Sequence, residues 1–212
     1  MSHTRIRSRI RHAAALLTVL SAALLAAACG GTDTAQPTQA PPDPARPPAS
    51  VRWESWQGVK LPFGAKDGPA KTTTGAATGY SRTPQGAALA AIQHSVRIAI
   101  APDSSWATIA RTALADGPGK DAYVLNRALV SVKWVDPATA PRIAGYKVTA
   151  WSDTRAEVTV YTSYPDTSVL ASQTAVTWVY KDWQLVVPTE TAKTNSAVPR
   201  VPADAVALEA PR

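Results

Sequence analysis

The stretch Tyr146-Lys147-Val148-Thr149-Ala150-Trp151-Ser152-Asp153-Thr154-Arg155-Ala156-Glu157-Val158-Thr159-Val160 decides the fold. Apolar and polar side chains alternate on both sides of Ser152-Asp153-Thr154, the pattern of two half-buried strands joined by a short turn. A three-residue loop there pairs Ala150 with Ala156, Val148 with Val158 and Tyr146 with Val160, all apolar or aromatic. Side chains alternate with a period of two, so a one-residue slip would turn the whole set to the wrong face. Pro165-Asp166 marks the next turn. The long strand after it carries Leu170, Thr174, Val176, Trp178 and Tyr180 on the same face. A two-residue loop at Lys181-Asp182 then pairs Tyr180 with Trp183, Trp178 with Leu185 and Val176 with Val187. This loop lacks the Asn-Gly chemistry that such hairpins prefer.

Upstream the period is helical. Thr83 is a capping residue and Pro84 fits the first helical position. Leu89, Ile92, Val96 and Ile100 then recur on one side until Pro102 ends the run. The many alanines in this helix predict close packing. Asp103 or Ser104 caps a second helix with Trp106, Ile109 and Ala113 on one face, and Gly117-Pro118-Gly119 closes it. A third helical stretch, residues 120–130, presents Leu125, Ala128 and Leu129 as its apolar side. Residues 51–62 read as an opening segment with Trp53 and Trp56 as packing anchors, and residues 66–79 as a loop. Helices first and a meander after predict an α+β domain over residues 51–188, the antiparallel sheet curling over the helices.

The ends of the chain differ in kind. Arg5, Arg7, Arg9 and Arg11 precede an uncharged apolar run over residues 13–28, the layout of a secretory signal peptide. At 16 residues that run is short for a spanning helix. Leu25-Ala26-Ala27-Ala28-Cys29 resembles the lipobox of bacterial lipoproteins, in which the thiol is diacylated and the chain is cut just before it. The family usually has Leu where this chain has Ala26. Ala26-Ala27-Ala28 also fits an ordinary cleavage site that frees a soluble protein, and an uncut anchor is a third reading. Cys29 is the sole cysteine, which excludes an intrachain disulfide, a four-cysteine zinc site and a CxxC pair. Residues 29–50 hold six prolines after Cys29 and no aromatic residue, and predict a disordered, extended tether. Residues 189–212 predict a disordered tail, with residues 198–208 as a docked or partner-binding segment in the alternative.

After residue 28 the chain keeps 18 Lys and Arg against 15 Asp and Glu, a net of +3 spread without a basic run. No nucleic-acid partner is expected from that pattern. The helix-first order and the closing Tyr180-Lys181-Asp182-Trp183-Gln184-Leu185-Val186-Val187-Pro188 resemble the nuclear-transport-factor-2-like cone fold. Gly79-Tyr80-Ser81-Arg82-Thr83-Pro84-Gln85-Gly86-Ala87-Ala88-Leu89, with that closing hairpin, is similar to actinobacterial exported lipoproteins, some of them linked to conjugative or integrative elements. The resemblance implies kinship in fold with the cone-shaped assembly subunit of type IV secretion systems, which acts by protein contact. It supplies no functional residues to carry over.

The expected inner face of the sheet contains no Asp, Glu or His, so only hydroxyls could act there; isomerases on such a fold need a tuned acid or base. His94 is the one histidine after the signal, and a lone histidine is weak ground for a metal site. Ser81, Ser104 and Ser105 lack a GxSxG elbow, and Gly117-Pro118-Gly119-Lys120 lacks phosphate-loop spacing. Asp153, Asp166 and Asp182 fall at turns, where Asp is expected. The sequence therefore predicts no catalytic residue, no metal and no cofactor. It predicts lipidation at Cys29 on the extracytoplasmic face of the cell membrane, and an envelope protein partner. Trp53, Trp56, Trp178, Tyr180 and Trp183 are the candidate interface or cavity residues, and the partner surface is expected on the outer face of the sheet or on the Trp53–Trp56 segment. The alternative is a lipoprotein that binds a small apolar ligand in the cone.

Overall fold

The computed structural model describes residues 41–189 and 194–209. The signal segment, Cys29 and the tether up to residue 40 lie outside them. The unit from Ala40 onward is α+β, with three helices and a six-stranded antiparallel sheet that does not close.

Two small hairpins come first. β1 (Val51–Trp56) pairs with β2 (Val59–Gly64) through a turn at Gln57 and Gly58, whose φ angles are 48° and 89°. A Cβ on Gly58 would sit 1.9 Å from the Val135 carbonyl oxygen, so only glycine fits this turn. β3 (Lys71–Thr73) and β4 (Ala76–Thr78) turn likewise at Thr74-Gly75. The expected opening segment and polar loop are thus both hairpins, and in each the signal is a polar residue followed by Gly.

α1 (Pro84–Ala99) starts as expected: the Thr83 hydroxyl accepts from Gly86 N–H at 3.1 Å, with Pro84 in the first turn. Residues 84–94 are all buried, Ala87 to Ala91 completely. The small alanine side chains let this helix pack against the sheet as well as α2 and β2. α2 (Trp106–Ala113) buries Ile109, Ala110 and Ala113. α3 (Pro118–Arg127) departs from expectation: Leu125 and Leu129 are 70% and 83% exposed. The face turned inward is Gly119, Tyr123 and Arg127, spaced four apart. Tyr123 Oη donates to Ile98 O at 2.7 Å, and the Arg127 guanidinium donates to Ala101 O at 2.7 Å and Asp103 Oδ1 at 2.8 Å.

The sheet runs β10–β5–β6–β7–β8, from β5 (Arg142–Trp151), β6 (Arg155–Ser163), β7 (Val169–Val179), β8 (Asp182–Val186), β9 (Asn195–Val198) and β10 (Val206–Ala207). β7 gives one edge to β6, so β8 and β9 share its other edge, β8 at the C-terminal end and β9 at the N-terminal end. Tyr146 faces Val160 and Val148 faces Val158, as expected. A bulge between Val148 and Ala150 then sets Ala150 against Glu157 and Trp151 against Ala156, so Ala150 is exposed. The final turn sits at Tyr180-Lys181, one residue earlier than expected. It pairs Trp178 with Trp183 and Val176 with Leu185.

Residues expected to be disordered take part in the fold. Within the tether, the Asp43 and Arg46 carbonyls each accept from Gln85 Nε2 at 2.8 Å, and Pro48 is buried. Within the tail, β9 pairs with β7, β10 pairs with β5, and Val206 and Leu208 are buried. Short apolar residues such as these gain burial only because sheet edges stand ready to receive them.

Candidate functional site

α1 lies against the inner face of the sheet, and its two ends meet different surroundings. At its N-terminal end the contact is solid. Trp183 is fully buried, donates its indole N–H to Ser81 O at 2.9 Å, and meets Trp178 edge-to-face at 5.3 Å between ring centroids. His94 is buried beside them, with Nε2 2.9 Å from Trp183 O and the Tyr80 ring edge-on at 5.3 Å. A carbonyl can only accept, so Nε2 carries a proton and donates it to Trp183 O. Burial, and to a lesser degree the charge of Arg97, push its pKa down to about 4, against a smaller upward pull from the Trp183 carbonyl. Burial likewise pushes the Tyr80 and Tyr146 phenols up, so both stay protonated.

At the C-terminal end α1 and the sheet part around a cavity of about 270 Å³. Its walls include Val59, Ile92, Val96, Ile143 and Val160, with hydroxyls from Ser95, Thr162, Ser172 and Thr174. No ionisable residue other than Tyr164 lines it. Ser95, Ala99, Ser172 and Thr174 also border a wider groove of about 950 Å³ that reaches Ile98, Tyr123 and Val187.

The expected site residues separate under this geometry. Trp53 and Trp56 are half-buried in β1 and packed against the core, with the Arg97 guanidinium 4.7 Å above the Trp56 ring. Trp178 and Trp183 close the packed end rather than lining the cavity. Tyr180 is not on the inner face: it occupies the turn, is 80% exposed, and its hydroxyl lies 3.3 Å from Asp116 Oδ2. Cys29 lies outside the described residues. Ser81 donates to Asp67 Oδ1 at 3.0 Å, and Lys120 Nζ bonds Leu114 O and Asp116, so both have structural partners. Among the described residues no three His, Cys, Asp or Glu side chains are grouped to hold a metal. No described helix is long and apolar enough to cross a membrane.

Asp182 does more than end a turn. Its carboxylate accepts from Gly79 N–H at 2.7 Å, Tyr80 N–H at 3.1 Å and Trp183 N–H at 2.9 Å, tying the approach to α1 onto β8. The sequence carries no local sign of a bond between residues a hundred positions apart. A second unexpected feature is a run of exposed apolar side chains, Leu125, Leu129, Val130 and Trp134, left outside when Arg127 takes the inward position.

No curated protein matches this chain in a sequence search, and no solved structure matches it in a structural search. The model of one family, described as Domain of unknown function (DUF8175), matches residues 19–205, from within the apolar run through β9. That match spans most of the chain, and the chain belongs to the DUF8175 family.

Proposed function

We propose that this protein is a non-catalytic, lipid-anchored module on the extracytoplasmic face of the cell membrane, where it engages a protein partner in an envelope or DNA-transfer assembly. The observation that carries the contact role is the exposed apolar run from Leu125 to Trp134. Grouped exposed apolar side chains mark interaction surfaces, and tryptophan is enriched where binding energy concentrates. This run takes the place of the Trp53–Trp56 segment as the contact surface, because those two rings are engaged in packing. The anchor is diacylated Cys29 after removal of residues 1–28, on the strength of the basic and apolar segments before it. A pair of acyl chains holds a protein durably at a bilayer. The cone-like curvature and the DNA-transfer process rest on the family resemblance of the sequence, and the non-catalytic reading rests on an expected inner face without Asp, Glu or His.

The experiment places a photo-crosslinking residue at position 129 or 134 in the native cell, with exposed Lys66 as the control position. A single discrete adduct with an envelope protein from 129 and 134, absent from 66 and lost on Leu125→Glu, is the expected result. Adducts of equal yield from all three positions, or none from 129 and 134, would count against the proposal.

A further inference from the structure

We propose that the cavity between the C-terminal half of α1 and the sheet binds a small neutral amphipathic molecule, independently of the partner surface. An apolar cavity of about 150 Å³ takes a benzene ring; this one, at about 270 Å³, has room for a body of roughly two fused rings. Ile92, Val96, Ile143 and Val160 supply apolar walls. The polar end of the ligand is set by Ser95, Ser172 and Thr174, at the junction with the wider groove. These three hydroxyls have no hydrogen-bond partner among the described residues and are only half-buried, so they stand free for a ligand.

Charge decides the ligand class. No Asp, Glu, Lys, Arg or His lines the inner cavity. In the groove, Arg155 and Glu157 pair with each other at 3.3 Å. An ionised group entering the cavity would lose water without gaining a counter-ion. A hydroxyl or amide head would instead find three hydroxyls that both donate and accept.

The test measures equilibrium dialysis of 2-naphthol, naphthalene and 2-naphthoate against the full chain in lipid nanodiscs, with empty nanodiscs as the reference. Expected is saturable 2-naphthol uptake above the empty discs, with 2-naphthoate at least tenfold weaker. Ser172→Ala with Thr174→Val should weaken 2-naphthol about fivefold, the worth of one neutral hydrogen bond, and leave naphthalene unchanged. Two cavity fillers, Ala99→Phe and Ser95→Leu, guard against the misfolding of either, and each folded filler should lower uptake of both neutral probes at least tenfold. No uptake above empty discs, undiminished uptake in a folded filler, equal loss of both probes in the hydroxyl variant, or preference for the naphthoate anion would overturn the proposal.

Discussion

Lowering the pH from 7 to 4.5 should destabilise this domain through one side chain, His94. The neutral ring is buried on α1 and its Nε2–H is committed to Trp183 O at 2.9 Å. Its folded pKa, about 4, lies below the ordinary histidine value of 6.5 that applies once the chain unfolds. The unfolded state therefore binds a proton first as pH falls. The stabilisation is complete above pH 6.5 and is lost progressively down to about pH 4, where this group's contribution levels off. At 1.36 kcal/mol per pKa unit, the full effect is about 3 kcal/mol. Urea unfolding at pH 7.5, 6.5, 5.5 and 5.0 reads it directly. Depressed carboxylates such as Asp103, held down to about 2 by hydrogen bonds from Ser131 and Arg127, interfere little at pH 5 and above, because the unfolded chain takes up their protons only toward the ordinary value of 3.8. Between pH 6 and 5 the unfolding free energy should fall by about 1 kcal/mol in the wild type. His94→Gln, which keeps an N–H donor for Trp183 O, should be less stable at neutral pH and nearly flat across the same range. Identical slopes in the two proteins would refute the buried neutral histidine.

Three further outcomes follow from packing. Trp183→Ala should cost about 3–5 kcal/mol, as for other fully buried aromatics, and shift the thermal midpoint by several degrees. Asp182→Ala should cost about 2–3 kcal/mol through the loss of three backbone N–H partners, with Asp182→Asn intermediate, measured by urea unfolding. Ending the chain after Pro188 removes β9, β10 and buried Val206 and Leu208, and should cost at least about 3 kcal/mol; a truncated protein as stable as the full chain would contradict the sheet order.

The meander was legible because alternation reports faces, and faces survive small errors. Placing the last turn at Lys181-Asp182 instead of Tyr180-Lys181 leaves Val176, Trp178, Trp183 and Leu185 on the same side, so hydrophobicity could not discriminate between the two loops. Nor did turn chemistry help, since Tyr180 and Lys181 take φ angles of 52° and 64° without being Asn or Gly. The bulge beside Ala150 has no compositional mark either. Helix α3 misled for a different reason. A buried arginine whose terminal nitrogens donate to Ala101 O, Asp103 and Val130 O takes the position that hydropathy assigns to leucine. For the tail the docked alternative over residues 198–208, not disorder, is what the structure shows; its few apolar residues mean little until the open edges of β5 and β7 are known. The cavity was legible only as an expectation of an apolar, hydroxyl-bearing interior. Its location depends on how α1 diverges from the sheet, away from the tryptophans that marked the site in the sequence.

The most direct test of the account is the intact mass of the protein isolated from its native membrane, with Cys29→Ala alongside. A chain beginning at Cys29 and carrying diacylglycerol, with that mass lost and the membrane association abolished in the variant, is the predicted result. An unmodified chain beginning at Cys29, or one that retains residues 1–28, would contradict the lipid-anchored module.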